Sequence, residues 1–572
     1  MWKAMMRKNQ KNNILIAILI GVSFLLILSS QPVDAEEFLP NQNFLIGKVA
    51  DNQGSPVIDA DVTLLDQGGN SISEALTQSN GIFTLPMPNV FSNDLTVKIE
   101  RHHFEELLVV VDNSDQQLLQ AGNTVSIEDQ VMVRVINIGF WVATGIFIVV
   151  LALIATGKLH TTLSALIGAS LIYLVSYIGR PFLEDIYIFN FERSLQYIDW
   201  NVIFLVMGMM IVIAIVEHTG IFQWMAFFAY RTSRGKMWLL LPILMLFTGI
   251  ASAFLDNVTT MLLMTPMTVQ IAIALGISPL ALLIPEVMAS NVIGVSTLVG
   301  TPTNILIGSF GNISFNDFLS NLTPGVLVSF IGLTIYSWFI YRNNLKKAHK
   351  PTPVLMEKLA ERGKITQPEN LKKVGWVGLG MIVLFVIGES IHLLPAVTAL
   401  MGATALLVWI KPNIEEMIEA VDWTTLVFFM SLFIVVGGIQ EVGLISFIAE
   451  NIGNFVGDSL VLSMLAVIWV SAFLSMAIAN IPFTAAMLPV IGYLTATVPG
   501  AESKVLFFCL SVGAAMGGNG TLIGASANMV MAGIAEAAGY KISYADFFKK
   551  GFPAVLITVS IGTVWLFIKF VL

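Results

Sequence analysis

Along residues 136–572 one apolar stretch follows another, most of them about 18 residues or longer. Such a run matches the hydrocarbon thickness of a bilayer, and inside lipid a helix satisfies its own backbone N–H and C=O groups. This dictates a polytopic α-helical membrane protein. Composition agrees, with 56% hydrophobic and 12% charged residues. The single cysteine, Cys509, lies within an apolar run, so no intrachain disulfide forms. No cluster of Lys and Arg with interleaved aromatics marks a nucleic-acid surface. The expected partners are the lipid bilayer of the plasma membrane and a small-ion substrate.

The start of the chain differs in kind. Residues 1–35 carry Lys3, Arg7, Lys8 and Lys11, then an apolar stretch over 14–28, then Val33-Asp34-Ala35. That order reads as a signal peptide or signal anchor, and either places the next segment outside the cytoplasm. Residues 36–130 hold short alternating apolar runs such as Val62-Thr63-Leu64, separated by turns such as Asp66-Gln67-Gly68-Gly69-Asn70. This predicts a small antiparallel β-domain. Acidic residues outnumber basic ones roughly five to one here, giving a solubilising face or a surface that attracts cations. His102-His103 suggests a metal pair, but neighbours in a strand point to opposite faces, so no metal site is expected. The run Gly47-Lys48-Val49, Gly54-Ser55-Pro56-Val57 and Thr77-Gln78-Ser79-Asn80-Gly81-Ile82-Phe83-Thr84-Leu85 resembles the carboxypeptidase regulatory-like, transthyretin-like sandwich. That resemblance implies a non-catalytic extracytoplasmic module.

Apolar runs place spans near 136–157, 160–178 and 200–217, a double run at 237–275, then 279–309 and 323–341. After a polar, basic linker the order starts again, at 374–391, 396–410, 423–442, a double run at 460–497, then 505–535 and 552–571. Residue matches tie the two series together. Asp199-Trp200 with Gly220 matches Asp422-Trp423 with Gly443. Ser252-Ala253-Phe254-Leu255 matches Ser471-Ala472-Phe473-Leu474, and Asn257 matches Asn480. Thr297-Leu298-Val299-Gly300 with Asn304 matches Thr521-Leu522-Ile523-Gly524 with Asn528. The organisation read from this is permease repeat 1 at 136–342, a cytoplasmic linker at 343–373 and permease repeat 2 at 374–572.

If each double run is a hairpin that enters and leaves by one side, each repeat has an odd number of crossings and the second is inverted. Lys158, Arg231, Arg234, Lys236, the linker, Lys411, Lys541, Lys549 and Lys550 then all face the cytoplasm, in line with the positive-inside rule, with Arg180 and Arg193 among four acids and the lone Lys504 left outside. Two full crossings per double run would give the same parity. The length of the double runs favours re-entrance. Inverted repeats with interrupted helices are the pattern of secondary transporters.

Polar residues mark where a site belongs. Asp256, Asn257, Thr259 and Thr260 cluster in the middle of the first double run, where each costs energy unless it faces protein, water or a ligand. The cluster returns altered as Ala479-Asn480-Ile481-Pro482-Phe483-Thr484. Pro302 after Gly300-Thr301 interrupts one span, and Gly517-Gly518-Asn519-Gly520 with Gly524-Ala525-Ser526 interrupts its counterpart. Broken helices present unpaired backbone groups and helix-end dipoles at depth. Two tips and two breaks are expected to converge on one ion or solute site. Its candidate residues are Asp256, Asn257, Thr259, Thr260, Thr297, Gly300, Thr303, Asn304, Asn480, Thr484, Asn519, Thr521, Gly524, Ser526 and Asn528. Asp256 and Glu286 are the candidate proton-coupling carboxylates. Each has a plainer reading, Asp256 as a cap on its hairpin turn and Glu286 as a charge near a helix N-terminus. Asn257 and Asn480 can offer oxygen to a cation or nitrogen to an oxyanion. The absence of His-Glu-x-x-His, Gly-x-Ser-x-Gly and P-loop motifs argues against an enzyme and against an ATP-driven pump.

The long motifs Ser252-Ala253-Phe254-Leu255-Asp256-Asn257-Val258-Thr259-Thr260, Asn480-Ile481-Pro482-Phe483-Thr484-Ala485 and Gly517 through Asn528 resemble the ion transporter superfamily. Within it the chain is similar to the arsenite-efflux and NhaD-type sodium–proton antiporter permeases, with their citrate-transporter-like domain, and most of all to the branch of the melanosomal P protein. The resemblance covers 136–572. It implies two inverted repeats with re-entrant hairpins and broken helices, a scaffold and a transport domain moving as an elevator, and often a homodimer. It implies a secondary-active ion transporter coupled to H+ or Na+, with cation–proton antiport favoured and no cofactor beyond a bound Na+. The chain departs from that branch twice. Relatives carry Asp-Asn where this chain has Ala479-Asn480, and Gly-Asp-Pro-Pro-Asn where it has Gly300-Thr301-Pro302-Thr303-Asn304. Two carboxylates are missing, which keeps open an anion, arsenite or carboxylate permease on the same scaffold.

Overall fold

The computed structural model describes residues 43–572, apart from 52–53, 55, 89–90, 92–93, 157, 235, 350–352 and 449–458. The leader expected at 1–35 lies outside the described residues. The chain divides into two compact units, Met1–Val135 and Ile136–Leu572.

The first unit holds the strands β1 (Phe44–Asp51), β2 (Asp61–Leu65), β3 (Ser71–Leu76), β4 (Ile82–Pro86), β5 (Thr96–Glu100), β6 (Leu107–Val110), β7 (Val125–Ser126) and β8 (Gln130–Met132). One sheet runs β4-β1-β7 with β8 also on β1, and the other runs β3-β2-β5-β6. Side chains alternate along each strand. Leu45, Val49, Phe83 and Leu85 of one sheet meet Val62, Leu64, Val97 and Ile99 of the other in one buried cluster. Asp66 shapes the β2–β3 hairpin turn, its Oδ1 accepting from the backbone N–H of Gly68 and of Asn70, both at 2.8 Å. The sheets are not purely antiparallel as expected, since β1 pairs in parallel with β7 and with β8. The chain gains the crossover that a parallel partner needs by passing through β2–β6 and the helix Asn113–Gln120 first. His102 and His103 lie in the turn between β5 and β6 rather than in a strand, with His103 at φ 68°.

The second unit is helical. In chain order its main helices are α1 (Ile138–Thr156), α2 (Thr161–Leu174), α3 (Trp200–Glu217), α4 (Ile221–Ser233), α5 (Met237–Phe254), α6 (Asn257–Ala274), α7 (Leu280–Ile293), α8 (Pro302–Phe310) and α9 (Phe315–Leu345). They continue with α10 (Pro368–Ile387), α11 (Pro395–Ile410), α12 (Trp423–Glu441), α13 (Leu460–Ala477), α14 (Asn480–Thr497), α15 (Val505–Gly517), α16 (Ser526–Ala537) and α17 (Tyr544–Phe570). Among the described residues, ten helices are long and apolar enough to cross a membrane. Apolar side chains remain exposed on their outer faces, as with Leu327, Ile331, Ile335 and Phe339 at four-residue spacing on α9. Lipid is the environment that suits such a stripe.

Local chemistry sets the helix ends. Asp199 accepts from the N–H of Asn201 and Val202 to start α3, and Asp422 accepts from Thr425 N–H to start α12. Gly220 and Gly443 follow those helices at φ 78° and 87°, a conformation that suits glycine. Ser314 and Asp317 form a capping box at α9, so that helix begins well before residue 323. α10 likewise begins inside the expected linker, with Pro368 in its first turn.

One expectation fails on length. Each double run turns within two residues, which leaves α5, α6, α13 and α14 with 18 residues apiece. An 18-residue helix rises about 27 Å, enough to cross the hydrocarbon, so length alone does not make these hairpins re-entrant.

Packing joins the two halves repeatedly. α6 lies on α16 and α14 on α8, so each hairpin arm meets the second half-helix of the other half. α3 packs on α11, α2 on α12 and α9 on α17, while α5 packs on α7 and α13 on α15. The α3–α11 contact is close, since a Cβ on Gly208 would lie 2.9 Å from the Ala399 backbone.

Candidate functional site

Two tight tips organise the site. α5 passes to α6 through Leu255 and Asp256, and α13 passes to α14 through Ile478 and Ala479. Leu255 and Ile478 are extended, which reverses the chain. Asp256 Oδ1 accepts from the backbone N–H of Val258 and of Thr259, both at 2.9 Å, and so caps α6. Ala479 has no side-chain acceptor and leaves α14 uncapped.

Two breaks face those tips. Residues 294–301 separate α7 from α8, and residues 518–525 separate α15 from α16. Thr297 Oγ1 donates to the Ala253 carbonyl, and Thr521 Oγ1 donates to the Met476 carbonyl at 2.6 Å. Ser252 Oγ donates to the Ser290 carbonyl at 3.0 Å, and Ser475 Oγ to the Ala514 carbonyl at 2.6 Å. The residue that plays the part of Ser252 is therefore Ser475. The match of Ser252 with Ser471 is displaced by four residues, about one helical turn, along the same helix face.

Asparagines hold the breaks. Asn304 Nδ2 donates to the carbonyls of Val295 and Thr297 at 3.0 and 2.8 Å. Asn528 Nδ2 does the same for Gly518 and Thr521 at 2.9 and 2.8 Å. Gly300 and Gly524 are where the backbones touch. A Cβ on Gly300 would lie 2.4 Å from the Gly294 carbonyl oxygen, and one on Gly524 2.7 Å from that of Gly518. Thr301 caps α8 through Asn304 N–H, and its hydroxyl also bonds that of Thr303. Ala525 gives α16 no such cap.

A buried amide chain links the halves. Asn257 Nδ2 donates to Asn291 Oδ1 at 2.7 Å, and Asn291 Nδ2 donates to Asn519 Oδ1 at 2.8 Å and Asn528 Oδ1 at 3.1 Å. Ser511 Oγ completes Asn304 from the other half, at 2.6 Å from its Oδ1. Glu286 stands apart, fully buried in α7, where Thr268 and Thr248 donate to its Oε1 at 3.1 and 3.3 Å. Its Oε2, and the buried hydroxyls of Thr260 and Thr484, have no hydrogen-bond partner among the described residues.

A cavity of about 440 Å³ opens where these parts meet. Both tips line it, through Asp256 and Thr259 and through Ala479 and Pro482. Both breaks reach it too, through Val299 and Pro302 and through Ser526. The rest of its polar wall includes His160, Glu217, Asp422 and Thr424. A second cavity of about 300 Å³, bounded by Asn201, Ser314, Glu389 and His392, shares Ile305 with the first.

A family profile for citrate transporters (CitMHS) matches residues 151–504. The chain belongs to the citrate transporter family. The 46 kDa membrane protein of Mycobacterium leprae is 35% identical over 430 residues, covering 75% of this chain and 98% of its own. An uncharacterised transporter of Mycobacterium tuberculosis aligns at the same identity and coverage. The P protein of Homo sapiens is 32% identical over 509 residues, which cover 75% of this chain and 60% of that protein. A solved structure, MtrF of Neisseria gonorrhoeae, covers 74% of this chain and 97% of its own at 14% identity, with a TM-score of 0.45. The family is one of citrate transporters and the Mycobacterium tuberculosis relative is named a transporter, so this chain is a transporter and not an enzyme.

In this citrate transporter family member the expected residues divide into two sets. Asp256, Thr259 and Ser526 line the cavity. Asn257, Thr297, Gly300, Thr303, Asn304, Asn480, Asn519, Thr521, Gly524 and Asn528 lie behind it, in and around the bonds that shape tips and breaks. Glu286 is outside both sets, as are Thr260 and Thr484, which are buried off the cavity with hydroxyls unpartnered among the described residues. The sequence marks neither Asp422 nor Asn291 as a site residue and gives Glu217 as interfacial, near a helix end, whereas the structure places Glu217 in the cavity wall. Asp422 carried the clearest signal, as the helix-starting Asp of a repeated Asp-Trp pair.

Proposed function

We propose that this transporter moves a small ion by alternating access, coupled to H+ or Na+, with cation–proton antiport as its leading form. The observation that carries this reading is that three carboxylates, Asp256, Asp422 and Glu217, share one cavity with both hairpin tips. Such acids repel unless a proton or a cation sits with them, which makes protonation and cation binding competitors. Asn257 supports a cation as well. Its nitrogen is committed to Asn291, so its oxygen is what it offers near Gly294 and the Gly300 carbonyl. A Na+ taken up beside such oxygens is substrate or coupling ion, not a resident cofactor.

Two inverted repeats are supported by bonds that recur at a near-constant offset, Ser252 with Ser475, Thr297 with Thr521 and Asn304 with Asn528. Exchanging the halves also maps the helix packing onto itself. Re-entrance is favoured because each tip bonds to the middle of an interrupted helix rather than to a helix end. The positive-inside reading puts Lys158 and Lys411 in the cytoplasm, so the cavity walls at His160, Glu217 and Asp422 lie at that side and the second cavity at the other. The conformation is then inward-open. Elevator motion and a homodimer are what the superfamily resemblance adds, with residues 36–130 as the extracytoplasmic module.

A second reading has its own support. Ala479 and Ala525 give α14 and α16 no side-chain cap beside the cavity, whereas Asp256 and Thr301 cap α6 and α8; of the N–H groups at the start of α14, that of Asn480 is held by the Gly524 carbonyl at 3.3 Å. Uncapped helix N-termini favour an anion, so the alternative is a carboxylate or oxyanion permease.

Flux in proteoliposomes with an internal pH dye tests both. Sodium, potassium, lithium, chloride, arsenite and citrate are added in turn. Proton movement on adding an alkali cation, lost in Asp256→Asn, is the expected result. Proton movement only with an anion or arsenite overturns the cation reading in favour of the second.

A further inference from the structure

Asn291 lies outside the cavity lining, yet it touches what stands behind two of its walls. It is fully buried in the last turn of α7. Its Oδ1 accepts from Asn257, the neighbour of the cavity residue Asp256. Its Nδ2 donates to Asn528, two positions from the cavity residue Ser526, and to Asn519 in the same break.

The direction of these bonds is fixed by what surrounds them. Asn528 must turn its NH2 toward the carbonyls of Gly518 and Thr521, and Asn519 turns its own toward the Met288 carbonyl at 3.2 Å. Both therefore face Asn291 with oxygen. Asn291 must answer with nitrogen, which leaves its oxygen for Asn257. No amide in the chain can flip without breaking a second bond. At the corresponding place on α15, Ala515 offers no such group, so this link runs one way.

We infer that Asn291 is a positioning residue that locks the first hairpin tip to the second broken helix, so that the Asp256 and Ser526 walls of the cavity hold one spacing. The inference deepens the reading of the cavity as the transport site and rests on it. Asn291→Ala removes the whole link, while Asn291→Asp keeps the side-chain volume and the acceptor for Asn257 but replaces the NH2 by one oxygen, which offers at most one donor, when protonated, to Asn519 and Asn528.

The test reads the distance distribution between spin labels at Leu262→Cys and Ile523→Cys in the full chain in proteoliposomes. Both positions are at least partly exposed, at 52% and 38%, while Cys509 is fully buried and stays unlabelled. The expected result is a narrow distribution in the parent and a clearly broadened or shifted one in Asn291→Asp and Asn291→Ala. Thr248→Val, which removes a buried hydroxyl within the first half, serves as the control and lowers the melting temperature without broadening. A distribution that stays narrow in Asn291→Ala, with only the melting temperature lowered, overturns the lock. If that variant does not fold, Asn528→Ala breaks the lock from its other end and is read in the same way. Sodium binding measured on the unlabelled parent and variants separates the two ideas, since Leu262 itself lines the cavity. Broadening in a protein whose parent binds no sodium keeps the lock and removes the cation reading.

Discussion

Asn257 gives its amide N–H to Asn291 Oδ1 at 2.7 Å, and Ser252 Oγ lies 3.0 Å from the Asn257 oxygen that remains. One bond thus decides which end of an ambiguous side chain the first tip presents. Ser252 has a single proton and two acceptors, Asn257 Oδ1 and the Ser290 carbonyl. The tip is left rich in acceptors. Asn257→Ala removes the oxygen that Ser252 Oγ meets at 3.0 Å and strands the Asn291 acceptor in the core. A stranded buried acceptor costs about 1–3 kcal/mol. The expected outcome is a lower melting temperature and, under the cation reading, a smaller rise of that temperature with sodium than the parent shows. Thermal unfolding at rising sodium, with choline as the replacement ion, checks it.

The second tip lacks what the first has, and Ala479→Asp supplies it. An Asp there can cap α14 as Asp256 caps α6, a gain of about 1 kcal/mol in stability. It also adds a further acid to a cavity already lined by Asp256 and Asp422. The expected outcome is a higher melting temperature with cation-driven flux increased and any anion flux reduced. Parallel melting and proteoliposome assays of parent and variant check it.

Much of this architecture is legible in sequence because lipid punishes exceptions. Runs of apolar residues had to be helices, and the described helices fall where those runs lie. Polar residues inside them had to be held, and Asp256, Asn304 and Asn528 are held by bonds that a reader of motifs can anticipate. What sequence could not supply was register and depth. The Ser-Ala-Phe-Leu motif recurs one helical turn away from its structural counterpart, because neighbouring turns of one helix face carry similar small residues. Asn291 gave no signal, since a lone amide in an apolar helix becomes meaningful only once Asn257, Asn519 and Asn528 are brought to it from distant positions. Asp422 showed in the sequence only as half of a repeated Asp-Trp pair, and the fold makes it both a helix cap and part of the cavity wall.

Outside the membrane unit the β2–β3 turn offers a pH-dependent prediction. The backbone N–H and side-chain amide of Asn70 hold the Asp66 carboxyl below its ordinary value of 3.8. A group whose folded value is depressed stabilises above its unfolded value and loses that contribution as pH falls through the folded one. The turn is therefore fully braced at neutral pH and loosens only in acid below the ordinary carboxylate range. Asp66 is solvent-exposed, so the effect is local rather than global. Hydrogen–deuterium exchange of the peptide spanning Gly68 to Asn70, corrected for the intrinsic rate at each pH, checks it. Asp66→Asn is expected to remove the pH dependence.

Glu286 carries the last prediction, because its surroundings separate charge from shape. Thr248 and Thr268 donate to one of its oxygens, while the other has no hydrogen-bond partner among the described residues. A bare charge buried without a partner costs several kcal/mol, whereas a neutral group of the same shape does not. Glu286→Gln keeps an acceptor for both hydroxyls and carries no charge, so the fold is expected to persist with a melting temperature close to that of the parent. Glu286→Leu strands both donors and is expected to melt earlier, by the equivalent of about 1–3 kcal/mol. If Glu286 carries the coupled proton, Glu286→Gln abolishes proton movement while sodium binding survives, and a Gln variant with unchanged coupled flux makes Glu286 a structural acid and leaves Asp256 with the coupling role.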